Sequence, residues 1–212
     1  MASSIMHICV AKKVNEVLRV NEKELFLGSI APDLSKELGE LKFASHFIDD
    51  ADENKGPNCD RFFKKYNHLL DTPFEIGYFI HLLTDKYWFE DYVTKYTEEF
   101  RQKSLVSADL NYIALKNIIY RDYTNLNNDL INDYEISLDL FGNGFVPPVS
   151  DITEIDDTKL QLLIDKIGFI IMEAQKTNHA FVIDSTKVMK FIDECAVKII
   201  EDLKKYNIIN RF

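Results

Sequence analysis

Apolar residues recur at helical spacing along most of this chain, and few residues interrupt them. Between Ser185 and Tyr206, for example, apolar side chains recur every three or four residues, which is the pattern of an amphipathic helix. The 212 residues include only 7 glycines and 5 prolines, too few for the many turns of a β-sandwich. Strand-like alternation is weak. The sequence therefore predicts an all-α fold, a multi-helix bundle of about six to eight helices.

One helix is predicted more strongly than the others. Thr72 is a typical N-cap, Pro73 suits the first helical position, and Glu75 completes a capping box. The apolar pattern that follows runs to about Phe100. Further helices are predicted at residues 8–19, 22–29, 60–70, 108–121, 158–176 and 185–206.

The least helix-like part of the chain is residues 122–156. Its first third, residues 122–133, is rich in asparagine and aspartate, and the motif GNGFVPP at residues 142–148 breaks a helix. We therefore expect a loop or flap at 122–156. The length of the chain suits a single domain that spans residues 1–212.

Charge and composition exclude several classes of function. The formal net charge is −10, and a phosphate backbone requires clustered lysine and arginine, so no nucleic-acid partner is expected. The same charge disfavours docking on an anionic membrane surface. No apolar stretch reaches the length of about 18 residues that a spanning helix needs, so no transmembrane segment is predicted.

The cysteines and the N-terminal sequence indicate the compartment. Cys9, Cys59 and Cys195 are widely spaced and form no CxxC pair, so we expect buried thiols in a reducing environment. The first residues, MASSIMHICVAKK, have no basic segment before their short apolar run, and we recognise no signal peptide. These features predict a cytoplasmic protein.

A histidine and a carboxylate lie one turn apart on the strongest helix. His81 and Asp85 are four residues apart, which places both side chains on one helical face. The aromatic residues of that face are Phe74, Tyr78, Trp88 and Tyr92. They indicate that the face points inward, where a carboxylate is costly unless it is paired or binds a metal. The pair therefore predicts a metal site, and the alternative is a His–Asp hydrogen bond inside an ordinary core.

Gly77 lies one turn before His81 on the same helix. Glycine inside a helix costs about 1 kcal/mol relative to alanine. Close approach of another chain segment, such as the one that carries His7, would explain that cost.

Three more potential metal ligands precede this helix, and each has an ordinary alternative. His7 begins the first helix and could be a core or surface histidine near the terminus. Asp33 follows a proline and could cap the next helix. His46 lies in the segment FASHFIDD and could bond to Asp49 or Asp50. Neutral imidazole and carboxylate are ligands that bind zinc, iron or manganese.

Several short motifs occur in a fixed order within residues 5–95. They are the first histidine, GSIAPD, SHF and GYFIHLLTD with a tryptophan close behind. This order resembles the zinc-dependent phospholipase C family. The resemblance implies an all-helical fold of that type and one or two zinc ions, with iron or manganese as other metals that suit the ligands. The metal ligands that it implies are His7, Asp33, His46, His81 and Asp85.

The resemblance also implies separate roles for these residues. Asp33, His46, His81 and Asp85 would hold one ion, and His7 would help to hold a second, with Asp85 as the bridge. Asp33 would act both as a ligand and as the catalytic base.

This sequence departs from the family in two respects. The secreted members begin the mature chain at a tryptophan whose amino group is a ligand, whereas this chain begins at Met1. They also have a further His–His–Glu zinc site after the H-x-x-x-D motif, but here His179 is the only histidine after Asp85. His179 lies in a predicted linker, and His68 lies in the lysine-rich segment KKYNHLL and is predicted at the surface or at an interface.

These observations predict a metal-dependent hydrolase that acts on a phosphoester, with a small phosphoester or a phospholipid head group as the partner. Two alternatives remain open. A non-catalytic helical protein could use one metal ion or a His–Asp network only to hold the bundle together. An HD-like phosphohydrolase would also be helical, but it requires an adjacent His-Asp dipeptide, and the nearest case here is His46 with Asp49.

Overall fold

A computed structural model describes residues 2–51, 55–93, 112–142, 144–174 and 185–212. For residues 51, 112–120, 123 and 124 it describes the backbone alone. The protein is all-α, as predicted: 71% of it is helical, with eight α-helices and no strand among the described residues. None of the described helices combines the length and the apolar character needed to cross a bilayer.

The α-helices follow one another in this order: α1 Ser4–Leu18, α2 Glu22–Gly28, α3 Leu34–Glu37, α4 Cys59–Tyr66, α5 Pro73–Tyr87, α6 Tyr112–Asp133, α7 Gln161–Ala174 and α8 Ser185–Lys205. A π-helical segment, Trp88–Val93, continues α5. The predicted helix ends at Phe100 and Lys176, and the predicted start at Ala108, lie outside the described residues, as does His179.

Helix α5 is the central element of the bundle. Every residue from Phe74 to Asp85 is buried, because α1, α2, α4 and α8 all pack against it. The aromatic face predicted to point inward does so, and its members Phe74, Tyr78, Trp88 and Tyr92 are all buried. A helix that is apolar on nearly every side is the expected core of such a bundle. Its few polar residues are therefore enclosed by protein.

The first turn of α5 differs from the predicted capping box. Thr72 is extended and Pro73 occupies the first turn, as expected, but the Thr72 side chain makes no hydrogen bond to the helix backbone. Its hydroxyl donates to the Glu75 carboxylate, and the Ser150 hydroxyl donates to Glu75 Oε1 at 2.9 Å. The capping box was wrong because the Thr72 N–H donates to the carbonyl of Leu69, and the Glu75 carboxylate accepts from the hydroxyls of Thr72 and Ser150 and not from the Thr72 backbone.

Residues 122–133, predicted as part of the loop, belong to helix α6. The prediction was wrong here because Leu126, Leu130 and Ile131 lie at helical spacing and are buried, and this packing outweighs the weak helix propensity of asparagine and aspartate. Among the described residues from 134 to 160 there is no α-helix, only the short 3₁₀ turns Leu138–Phe141 and Asp157–Lys159.

Helices α2 and α5 touch backbone to backbone at two glycines. A Cβ atom added to Gly77 would lie 2.2 Å from the carbonyl oxygen of Leu25, and one added to Gly28 would lie 2.0 Å from that of Phe74. The close approach predicted at Gly77 is confirmed, but the partner is α2 and not the segment that carries His7. This crossing brings the chain after α2, Ser29 to Asp33, against the middle of α5.

The three cysteines, Cys9, Cys59 and Cys195, are free and buried, as predicted. Burial raises the pKa of the Cys59 thiol to about 12 and also raises the pKa of the other two thiols. Thiols in this state are protonated at neutral pH and act as small apolar side chains in the core.

Candidate metal centre

Five residues predicted as ligands come from four parts of the chain and meet in one place. His7 lies in the first turns of α1, Asp33 ends the 3₁₀ turn Ala31–Asp33, His46 lies in the turn before α4, and His81 and Asp85 lie on α5. Each of the five side chains is at most 2% exposed. The structure therefore brings together all five residues that the sequence singled out, inside the core.

Four of these side chains have donor atoms that lie close to one another around His46 and His81. His46 Nε2 lies 3.2 Å from His81 Nε2 and 3.6 Å from Asp33 Oδ1. Asp85 Oδ2 lies 3.5 Å from His81 Nε2 and 3.8 Å from His46 Nε2. Ligands at about 2.1 Å from a tetrahedral metal ion are separated by about 3.4 Å. The four separations are close to that value, but Asp33 and Asp85 fall into different groups of three mutually close donors.

The fifth residue, His7, lies on the other side of Asp85. Its Nε2 atom is 3.4 Å from Asp85 Oδ1, and its ring stacks on that of His81 with 3.7 Å between centroids and 11° between planes. Donor atoms of His7, His81 and Asp85 lie within 4.8 Å of one another, as do those of Asp33, His46 and His81. An imidazole nitrogen has one lone pair, so His81 can serve one ion, whereas the two oxygens of Asp85 can serve two.

The neighbours of the Nδ1 atoms bear on which nitrogens of two histidines can bind a metal. His81 Nδ1 lies 2.8 Å from the carbonyl oxygen of Ser29, which only accepts, so Nδ1 carries the proton and Nε2 presents a lone pair. His46 Nδ1 lies 3.2 Å from the carbonyl oxygen of Lys42 and 3.0 Å from the Ser45 hydroxyl, which can donate or accept, so either His46 nitrogen can carry the proton. With the proton on Nε2, His46 donates to His81 Nε2 across 3.2 Å. With the proton on Nδ1, two lone pairs face each other, and that arrangement is suited to a cation.

Several buried polar atoms of the cluster lack a hydrogen-bond partner. They are both ring nitrogens of His7 and Asp85 Oδ2. The contact between His7 Nε2 and Asp85 Oδ1 has the distance of an ion pair but not the alignment of a hydrogen bond. Each unsatisfied buried group costs about 1–3 kcal/mol. Metal ions held by His7 Nε2 and by Asp85 Oδ2 would satisfy two of these three atoms.

The pKa shifts of His7, His46, Asp33 and Asp85 favour the forms of these residues that bind metal. Burial, together with the nearby His81, lowers the pKa of His7 to about 4, and burial lowers the pKa of His46 as well. Burial alone would raise the pKa of Asp33, but the Lys36 charge and a hydrogen bond from His46 hold it well below its usual range. Interactions with His7 and His81 do the same for the pKa of Asp85. Neutral imidazoles and ionised carboxylates are the metal-binding forms.

Two alternatives to metal binding that the sequence left open, a bond from His46 to Asp49 or Asp50 and a helix cap by Asp33, do not agree with the observed contacts. Asp49 bonds to Asn58 and Arg61, and Asp50 pairs with Lys55, so neither is the partner of His46. The Asp33 side chain makes no capping hydrogen bond to the helix that follows it. His68 is exposed, as predicted.

Sequence reasoning missed several groups that contact the cluster. The backbone N–H of Ala2 donates to Asp85 Oδ1 at 2.8 Å, and Ser4 Oγ donates to Asp33 Oδ2 at 3.3 Å. Lys36 Nζ lies 3.4 Å from Asp33 Oδ1. Of these, only the spacing of Asp33 and Lys36, three residues apart, left a signal in the sequence. The carbonyls of Ser29 and Lys42 left none, because every residue has one.

Comparison with family models, with curated proteins and with solved structures finds no match to this chain. The resemblance to the zinc-dependent phospholipase C family therefore rests on the motifs and on the five residues that they contain.

Proposed function

We propose that this protein binds divalent metal at its His/Asp cluster and uses it to hydrolyse a phosphoester. Zinc is the first candidate metal, and iron and manganese suit the same ligands. The observation that carries the proposal is the spacing of four donor atoms from Asp33, His46, His81 and Asp85, which lie 3.2–3.8 Å apart along the measured edges. These spacings are close to those of neighbouring ligands on one ion.

The residues divide between two ions. Asp33 Oδ1, the Nε2 atoms of His46 and His81, and Asp85 Oδ2 would hold the first. His7 Nε2 and Asp85 Oδ1 would contribute to the second, with Asp85 as the bridge. A pair of divalent ions supplies positive charge that activates water and stabilises the attacking and leaving oxygens of a phosphoester.

Asp33 is the carboxylate that would accept a proton from the attacking water. The Lys36 charge keeps the pKa of its carboxyl well below the usual range, so Asp33 is ionised at neutral pH but is a weak base. The metal ions would therefore have to lower the pKa of the attacking water. The second oxygen of Asp33, Oδ2, bonds only weakly to Ser4, at 3.3 Å, which leaves acceptor capacity at that atom. This role agrees with the one that the family resemblance implies.

A second function, a structural metal site without catalysis, is favoured by a different observation. All five side chains are buried, and four protein ligands would close the first ion's coordination, which is the pattern of structural zinc. The two functions differ in the second ion, because His7 and Asp85 supply only part of its coordination and leave positions open. The HD-like alternative gains no specific support, because Asp85 lies one turn from His81 and not next to it.

Metal analysis combined with a hydrolysis assay tests the proposal. Protein purified without chelator should contain one to two equivalents of a transition metal by mass spectrometry, about the capacity that these ligands provide. It should hydrolyse bis(p-nitrophenyl) phosphate, lose that activity on dialysis against a chelator, and regain it with zinc or manganese. His81→Ala should lose metal and activity together. The exposed His68→Ala variant is the matched control and should keep both.

His7→Ala separates the two functions. For a hydrolase, this variant should keep the first ion and lose the second together with hydrolysis. For a structural site, wild-type protein should hold a single ion, show no hydrolysis, and retain that ion in His7→Ala. Wild-type protein with no metal that takes up none on titration would contradict both.

A further inference from the structure

Two buried hydroxyl groups continue from His46 Nδ1, the ring nitrogen that does not approach His81. Ser45 Oγ lies 3.0 Å from His46 Nδ1, and Ser35 Oγ lies 3.0 Å from Ser45 Oγ. Ser35 Oγ also lies within donating distance, 3.2 Å, of the carbonyl oxygen of Pro32. Both serines are buried. The two hydroxyls are therefore enclosed by protein and must form their hydrogen bonds within the chain.

The turn that carries Ser45 and His46 is fixed against α5. The hydroxyl of Tyr78, on α5, donates to the carbonyl oxygen of Ser45. The backbone N–H of His46 donates to the carbonyl oxygen of Lys42 at 2.9 Å. The Lys42 carbonyl therefore has a donor whichever ring nitrogen of His46 carries the proton.

A hydroxyl group both donates and accepts, so the hydrogen bonds through His46 can run in either of two directions. In the first direction Ser45 donates to His46 Nδ1, and the ring proton lies on Nε2, which donates to His81 Nε2 at 3.2 Å. His81 Nδ1 then donates to the carbonyl oxygen of Ser29 at 2.8 Å. Both ring nitrogens of His46 are satisfied in this direction without an ion.

In the second direction every one of these hydroxyls reverses its role. His46 Nδ1 donates to Ser45 Oγ, and Ser45 donates to Ser35 Oγ. Ser35 then donates to the carbonyl oxygen of Pro32. His46 Nε2 now presents a lone pair beside that of His81 Nε2, which is the form that binds a metal. One proton has left Nε2 and one is bound at Nδ1, so the imidazole is neutral in both directions.

We propose that Ser45 positions the proton of His46: its hydroxyl donates to Nδ1 in the metal-free cluster and accepts from Nδ1 when His46 Nε2 binds an ion. Ser45 is thus a positioning residue that acts through His46. The inference rests on the metal binding in the proposed function. Its competitor is a structural hydroxyl that donates to the carbonyl oxygen of Lys42, 3.2 Å away, and has no influence on the ring.

NMR of isotope-labelled protein tests the proposal directly, because long-range proton–nitrogen correlations show which ring nitrogen carries the proton. Metal-free wild-type protein should show His46 protonated at Nε2, and zinc-loaded protein should show it protonated at Nδ1. The signal is assigned by its absence from His46→Asn. A proton on Nδ1 of His46 in metal-free wild-type protein overturns the inference.

Ser45→Ala removes the hydroxyl and leaves His46 Nδ1 facing the carbonyl oxygen of Lys42, which only accepts. This variant should carry the proton on Nδ1 with and without zinc. Its metal-free cluster loses hydrogen bonds that the zinc-bound cluster does not use, so the Kd of zinc should fall by about 5-fold, within the factor that one hydrogen bond supplies. Ser45→Thr keeps the hydroxyl and should restore the wild-type behaviour. Thr84→Val is the matched control, because the buried Thr84 hydroxyl donates to the carbonyl oxygen of Ile80.

The competing role predicts the opposite change in affinity. A Kd of zinc that is unchanged or higher in Ser45→Ala overturns the inference, and so does a wild-type NMR pattern in that variant. Wild-type protein that takes up no zinc on titration contradicts the proposed function instead. The two failures are distinct, because the first is seen in protein that binds zinc.

Discussion

Helix α5 buries one carboxylate in its first turn and another in its last turn, and the pKa values of the two are shifted in opposite directions. Glu75 is 6% exposed, and hydroxyl groups of Thr72 and Ser150 donate to its carboxylate. Burial raises the pKa of Glu75, as expected for an acid held by neutral donors. Asp85 is 1% exposed and lies among three histidines, and its pKa is held well below the usual range.

The difference shows what distinguishes a structural acid from a candidate ligand. Glu75 can take up a proton and remain bonded to its hydroxyl partners, so no ion is needed. Asp85 keeps its charge, and its Oδ2 atom has no hydrogen-bond donor although it lies 3.5 Å from His81 Nε2. Burial alone therefore does not identify a functional acid. The partners do, because converging imidazole nitrogens and carboxylate oxygens are donor groups that could hold a cation.

The largest expected effect is the loss of metal from the cluster. A ligand present at about 1,000 times its Kd stabilises the folded state by about 4 kcal/mol, so chelation should lower the free energy of unfolding by that order. Asp85→Asn should lose the metal and with it this dependence on chelator. Thermal melts followed by circular dichroism, with and without chelator, measure the effect. Equal melting temperatures under both conditions in wild-type protein would contradict the metal site.

Next in size is the effect of Gly77→Ala, which tests whether the glycine crossing supports the cluster. The added methyl would lie 2.2 Å from the carbonyl oxygen of Leu25, so α2 must move and Ser29 must leave His81. We expect destabilisation by about 3 kcal/mol and weaker metal binding, measured by urea denaturation and metal titration. Gly168→Ala is the control, because its nearest neighbour is a Leu138 side-chain atom 3.9 Å away. A Gly77→Ala protein as stable as Gly168→Ala would argue against the crossing.

Lowering the pH should change the stability contributions of His7, on α1 beside the end of α5, and of Glu75, at the start of α5, in opposite directions. In metal-free protein the pKa of His7 is lowered from 6.5 to about 4, so unfolding takes up protons and stability falls as the pH drops from 6.5 toward 4. Each such proton contributes a slope of about 1.4 kcal/mol per pH unit. The pKa of Glu75 is raised, so its contribution is present at low pH and is lost as the pH rises through its folded-state pKa.

Urea denaturation of chelated protein at several pH values between 4 and 7 measures this slope. His7→Phe should reduce it, because the ring is kept and the titrating group is removed. Chelated wild-type protein that is equally stable at pH 6.5 and at pH 4.5 would show that His7 is not held in the neutral form.

The smallest expected effect is that of Glu75→Gln, which should leave the cluster unchanged. The amide keeps an oxygen for Ser150 and removes a carboxylate whose charged form burial disfavours. We expect a change in the free energy of unfolding within about 1 kcal/mol at pH 7 and the metal content of wild type. Metal analysis and denaturation decide this, and loss of metal from Glu75→Gln would show that the two ends of α5 are coupled.

The fold class and most helix positions could be predicted because their signals are local. Helical spacing of apolar residues located the five longest helices, α1 and α5 to α8, although the end of α6 was placed at Arg121 and lies at Asp133, after the polar stretch. The capping box was wrong because the Thr72 N–H donates to the carbonyl of Leu69, and because Ser150, far along the chain, shares the Glu75 carboxylate with the Thr72 hydroxyl. Local sequence patterns predict where a helix forms, but they do not predict which distant segments pack against it.

By itself, the sequence determined the all-α class, the inward face of α5 and the five residues of the cluster, because spacing along a helix and the order of short motifs are properties of the chain. Tertiary structure alone decided that α2 is the segment that crosses Gly77 and that the carbonyls of Ser29 and Lys42 contact two imidazoles. The physical reason is that these features depend on which backbones approach each other. A carbonyl group is the same in every residue, so only its position in the fold gives it a role.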